Sequence, residues 1–214
     1  MLDRRPEGSK SLTVVSTGLA NVGSVVNMYR RLGLEAVVSD DPEEIIVADR
    51  LVLPGVGSFD HGMGALVERG LDAAIKCAAE SGIPLLGICL GMQMLFDASE
   101  EGSASGLGLI SGTVRRLPVM SEHGPVRVPH MGWSAVDSKG DHPLLDNLPI
   151  DSRFYFVHSY AAVPDNKDCV IGTSVYGASF VSAVADRAVM GVQFHPEKSH
   201  RYGKALLANF AGGI

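Results

Sequence analysis

Cysteine is scarce in this chain of 214 residues: Cys77, Cys89 and Cys169 are odd in number and widely spaced. That spacing speaks against a disulfide framework and against the paired thiols of a zinc site. Positive charge is thin as well. Eighteen basic residues face 24 acidic ones, for a formal net charge of −6, and the basic residues are scattered instead of forming a stripe, so no nucleic-acid partner is expected. Long apolar runs are missing too. The richest, residues 82–96, is interrupted by Pro84, Gly87, Gly91 and Gln93, and no apolar region near the start resembles a signal peptide. The expectation is a cytoplasmic protein with no membrane contact. Internal repeats and low-complexity segments are absent.

What is present suits a single folded unit. An apolar content of 46% over this length supports a substantial core in one domain. Residues 1–10, MLDRRPEGSK, are polar with Pro and Gly and read as a flexible leader, leaving residues 11–214 as that domain. Strands and helices then alternate. A strand at 12–16, a helix over 22–32 closed by Gly33, a strand at 36–39, a capped helix start at Asp41, a strand at 51–53 and a helix over 65–80 follow in turn. Such an order predicts an α/β fold with a mostly parallel sheet and helices on both faces. After Gly106 the pattern shortens to alternating strands at 112–117, 153–160 and 179–194, with a hairpin turn over 185–188 and a last helix at 202–210. This part is expected to be mixed or antiparallel.

The densest information lies in Gly87-Ile88-Cys89-Leu90-Gly91, where an apolar strand runs straight into a helical pattern. Glycines on both sides of a central residue permit the sharp turn of a nucleophile elbow, which lifts one side chain into a cleft. Cys89 occupies that apex, with the free N–H groups of the following helix aimed at its sulfur. Cys77, inside a helical run, and Cys169, at a strand start, read as core fillers. Downstream stands Phe194-His195-Pro196-Glu197. Pro196 argues against a regular helix, so His195 and Glu197 are expected to be extended, with both side chains on one side. A thiolate cannot by itself expel ammonia from an amide, because the leaving nitrogen must gain a proton. A histidine held in its tautomer by a carboxylate supplies it, and Cys89, His195 and Glu197 form the candidate triad. Pro54-Gly55-Val56-Gly57 follows a buried strand, and its glycines allow a peptide N–H to face a developing oxyanion. Gln93 lies one helical turn beyond Cys89 on the same side. His158, among aromatic neighbours, reads as structural.

With "PGVGSF", "GICLGMQ" and "HPEKS" in this order, the chain resembles the class I glutamine amidotransferases, a three-layer α/β family. "VPHMGW", "FYFVHSY" and "GVQFHPEKS" are similar, more narrowly, to the glutaminase-subunit family of imidazole glycerol phosphate synthase. The resemblance implies hydrolysis of L-glutamine with no metal or other cofactor, and delivery of ammonia to a cyclase-type synthase subunit in a heterodimer of histidine biosynthesis. It places the oxyanion hole at the N–H groups of Leu90 and Gly57, and glutamine binding at Gly55, Gln93, Ser159 and Tyr160. It turns Asn21, His130, Trp133 and Lys198 toward the partner. Two features depart from it. Ser16-Thr17-Gly18-Leu19-Ala20-Asn21 stands where the family has an acid, an aromatic ring and a further glycine. "NVGSVVNM" and "EKSHRYGKALLANF" also look similar to paralogues that feed ammonia to surface-sugar-modifying synthases. A catalytically silent binding subunit would have lost the triad, which is intact here.

Overall fold

In the computed structural model, residues 12–18, 22–122 and 124–213 are described; the 1–10 leader and Asn21 lie outside them. The first half builds parallel strands by short crossovers. β1 (Leu12–Val15) is buried throughout, and α1 (Val22–Arg31) follows and ends at Gly33, whose φ of 76° breaks the helix. β2 (Ala36–Ser39) leads to α2 (Pro42–Ile45), where the Asp41 carboxylate accepts the Glu43 N–H at 2.9 Å and Pro42 sits where no N–H is needed. β3 (Arg50–Gly55) is again fully buried. The helix expected over 65–80 is two helices, α3 (Phe59–Glu68) and α4 (Leu71–Glu80). Gly70 between them takes a left-handed conformation, and apolar residues recur on both sides of the break, which hides it from periodicity. Cys77 rides on the outer face of α4 and is exposed, so it is no core filler, whereas Cys169 is buried as expected. β4 (Leu85–Cys89) and α5 (Leu90–Met94) close this half.

The second half is strand-rich. β5 (Ala98–Ser99), β6 (Gly112–Arg116), β7 (Met120–Ser121), β8 (Gly124–Pro125), β9 (His130–Ala135) and β10 (Asp137–Ser138) come first. β11 (Arg153–His158), β12 (Tyr160–Pro164), β13 (Val170–Tyr176), β14 (Ala178–Asp186), β15 (Val189–Val192) and α6 (His200–Gly213) complete the chain. The strand expected over 153–160 divides at Ser159: β11 pairs with β9 in a small separate sheet, and β12 joins the main one.

The main sheet has the order β2-β1-β3-β4-β15-β14-β12-β6-β5, with β13 and β10 attached through β14. Pairing is parallel from β2 to β15 and antiparallel from β15 through β6, the mixed α/β architecture that the sequence predicts. Alternation along the strands splits the core in two. Val15, Leu51 and Leu53 face Leu66, Leu71 and Ile75 of α3 and α4, while Leu12, Val14 and Val52 face Tyr29 of α1 and Leu206 and Phe210 of α6. The carboxyl ends of β3 and β4 lie side by side, with Gly55 in register with Cys89, so the loop after β3 and the elbow open at one edge. Among the described residues no helix is long and apolar enough to cross a membrane.

Candidate active site

The elbow depends on the absence of side chains. A Cβ on Gly91 would overlap the Leu53 carbonyl oxygen, so only glycine lets α5 start hard against β3. Cys89 takes φ 56° and ψ −110°, and its side chain, 7% exposed, lines a cavity of about 310 Å³. Gly57, at φ 99°, and Leu90 line the same cavity. Gly55, expected to help hold glutamine, is instead buried under the elbow, where a Cβ would meet the Gly91 nitrogen, and it is not among the cavity-lining residues.

His195 reaches the cavity from the other side. The segment after it is not extended: Pro196–Lys198 forms one turn of 3-10 helix, because proline is well suited to a first helical turn. That turn brings Glu197 Oε1 to 2.7 Å from His195 Nδ1, with side chains 8% and 2% exposed. The carboxylate fixes the proton on Nδ1 and leaves Nε2 buried with no hydrogen-bond partner among the described residues. Burial works against a charge on His195, but the Cys89 sulfur and the Glu197 carboxylate outweigh it and raise its pKa to about 9. Their effect is to favour an imidazolium facing the sulfur.

Several partners were not legible in the sequence. Ser199 is fully buried; its Oγ donates to the His195 carbonyl at 2.6 Å and accepts the Tyr155 N–H at 3.0 Å, while the His195 N–H donates to the Tyr155 carbonyl at 2.9 Å. His195 is thereby tied to β11. Gln193, also fully buried, places Nε2 at 3.9 Å from the Cys89 sulfur. Glu101 brings a carboxylate to the cavity wall, and its Oε2 accepts the Phe59 N–H at 2.8 Å. Gln193 and Ser199 stand inside the run GVQFHPEKS without any sign of these bonds, and Glu101 stands in no motif, because each acts through a tertiary neighbour.

Gln93 is 5% exposed on the cavity wall, and both of its amide protons are engaged, by the Tyr160 carbonyl and by Gln193 Oε1, each at 3.0 Å. Ser159 and Tyr160 line the cavity beside it. His130, expected at the partner surface, is 2% exposed and stacks between Phe156 and Tyr176, because alternation along β9 turns it inward. Its neighbour Trp133 faces outward, 42% exposed, and stacks on His200. Lys198 is exposed at the cavity mouth, 6.0 Å above the Tyr155 ring. No group of three or more His, Cys, Asp or Glu side chains suited to a metal ion occurs among the described residues.

Residues 14–212 match the family described as glutamine amidotransferase class-I. The chain is 44% identical over 200 residues to the imidazole glycerol phosphate synthase subunit HisH 2 of Methanococcus maripaludis, covering 93% of this chain and 98% of that one. It is 45% identical over 202 residues to the imidazole glycerol phosphate synthase subunit HisH of Moorella thermoacetica, covering 94% of each. In fold it is similar to the crystal structure of a glutamine amidotransferase from Thermotoga maritima, with a TM-score of 0.69 at 15% identity over 96% of this chain and all of the other. The chain belongs to the class I glutamine amidotransferase family, and it is a glutamine amidotransferase.

Proposed function

We propose that Cys89, His195 and Glu197 hydrolyse L-glutamine, and that the chain serves as the glutaminase subunit of an imidazole glycerol phosphate synthase, passing ammonia to a cyclase-type subunit in cytoplasmic histidine biosynthesis. The observation that carries the chemistry is one cavity lined by both Cys89 and His195, with Glu197 bonded behind the imidazole. The Cys89 thiolate attacks the side-chain amide carbon of glutamine, and the negative charge passes to the carbonyl oxygen, which the N–H groups of Leu90 and Gly57 receive. His195 gives the Nε2 proton to the amide nitrogen, the C–N bond breaks and ammonia leaves, with a thioester remaining on Cys89. His195 then takes a proton from water, the resulting hydroxide attacks the thioester, and glutamate departs as the thiolate is restored. Glu101 and Lys198, of opposite charge at the cavity, match the ammonium and carboxylate at the far end of the substrate.

Free ammonia at neutral pH is mostly ammonium and unreactive, so a synthesis gains from receiving it directly from the subunit that forms it. The similarity of nearly the whole chain to HisH subunits supports the histidine-pathway partner. Cys89→Ser should abolish glutamate production while the complex still works on added ammonia. Glutamate release should also rise at least about tenfold, equal to about 1.4 kcal/mol of barrier, when a histidine-pathway cyclase and its ligand are added. Stimulation only by a sugar-modifying synthase would overturn the histidine assignment, and an active Cys89→Ser chain would overturn the nucleophile.

A further inference from the structure

Two buried histidines take no part in the hydrolysis above, yet they stand on one hydrogen-bonded line to its cavity. His130 in β9 and His158 at the end of β11 face each other across the small sheet. Ser134 Oγ lies 3.1 Å from His130 Nε2, His130 Nδ1 lies 3.1 Å from His158 Nε2, and His158 Nδ1 lies 2.8 Å from the Tyr160 carbonyl oxygen. A carbonyl can only accept, so His158 carries a proton on Nδ1. Burial lowers both rings to a pKa of about 4; at His158 the bond to the Tyr160 carbonyl works against this, and the neighbouring His130 and His195 imidazoles add to it. Both are therefore neutral at pH 7. His158 Nε2 must then accept from His130 Nδ1–H, and His130 Nε2 must accept the Ser134 hydroxyl. Every proton on the line has one place.

Packing holds the plane of the ring as well. The His130 ring is stacked at 4.1 Å on Tyr176 and 4.9 Å on Phe156, so tilting out of that plane would cost it both contacts. At the cavity end, the Tyr160 carbonyl accepts from His158 and from Gln93, and Gln93 in turn holds Gln193 beside the Cys89 sulfur.

We propose that Ser134, His130 and His158 are positioning residues: a polar relay that sets the Tyr160 carbonyl, and with it Gln93, on the glutamine-binding wall and so links β9 to the active cavity. The proposal rests on the glutaminase reading only in naming the occupant of that cavity. β9 presents Met131 and Trp133 to solvent on the face opposite the relay, so displacement of that strand is transmitted to the wall through His130.

The first test needs no variant. In wild-type protein labelled with nitrogen-15 in the histidine rings, nuclear magnetic resonance at pH 7 should show His130 and His158 uncharged and protonated on Nδ1. A charged ring, or a proton on Nε2 of either, overturns the relay whatever the fate of the glutaminase reading, which stands or falls on Cys89→Ser. The second test separates donor from packing. His130→Phe keeps a stacked ring without the Nδ1 proton and should raise the glutamine KM about tenfold, with kcat within about threefold. His130→Asn, which puts an amide N–H near the lost donor, should return KM to within about threefold of wild type. An unchanged KM in His130→Phe, or an equal rise in both variants, overturns the proposal.

Discussion

The two sides of the active cavity are held in opposite ways. The elbow side is fixed by main chain and by missing side chains: Gly91 presses on the Leu53 carbonyl, and no side-chain cap bonds the start of α5. The histidine side is fixed by polar side chains, with Glu197 and Ser199 each bonding His195 and Ser199 also bonding β11. Steric constraint is all-or-none because backbones in contact cannot give way, whereas hydrogen bonds can be removed singly. The elbow that carries Cys89 should therefore fail abruptly under mutation and the setting of His195 by degrees.

Substitutions on each side test that contrast. Gly91→Ala should be the most damaging, lowering stability by about 4 kcal/mol or more because the new methyl meets backbone and not a movable side chain; chemical denaturation of the folded fraction measures it, and a loss under about 1 kcal/mol would show the elbow to be adaptable. His195→Asn should leave the fold intact and slow glutamate formation roughly a thousandfold, within the range for a lost proton carrier. Glu197→Gln should slow it less, roughly a hundredfold. The same change should bring the His195 titration down from about 9, since the carboxylate raises it. His195 is favoured in its charged form when folded, so its contribution to stability is complete below pH ~6.5 and fades as the pH rises through about 9; Glu197→Gln should shrink that alkaline loss. The reverse order of rates would exchange the two roles. Ser199→Ala is expected to have the smallest effect, about 1–3 kcal/mol of stability with measurable activity, because it leaves the Tyr155 N–H without its acceptor. Thermal unfolding beside steady-state rates decides it, and a wholly inactive Ser199→Ala would mean the histidine side is as brittle as the elbow.

The same division governs how much could be read in advance. Gly87 and Gly91 announce the elbow because a steric requirement leaves a fixed spacing of one residue type, and the parallel strands around it are short apolar runs with clear helix stops. His195 and Glu197 were visible as a pair, but their geometry was not: proline excludes a helix interior yet starts a turn well, and the turn is what brings the two side chains together. The roles of Ser199, Gln193 and Glu101 stayed hidden, although the first two stand inside the run GVQFHPEKS, since Tyr155, Cys89 and Phe59, which they meet, lie distant in sequence. The inward aspect of His130 was likewise hidden, because two-residue alternation marks two faces without saying which one a neighbouring sheet will cover.

Cys89 itself sits at φ 56° and ψ −110°, a region that residues with a side chain seldom occupy and that costs on the order of 1–3 kcal/mol. The surrounding strand and glycines hold it there, so the proposed nucleophile is a local defect in the chain's own folding energy. Cys89→Gly, inert as a catalyst, should melt several degrees above the wild type, as the backbone relaxes where it no longer carries a thiol. An equal or lower melting temperature would mean that the contacts of the sulfur already offset the strain. The proposed nucleophile is, on this account, a residue whose side chain the fold holds at a cost in stability.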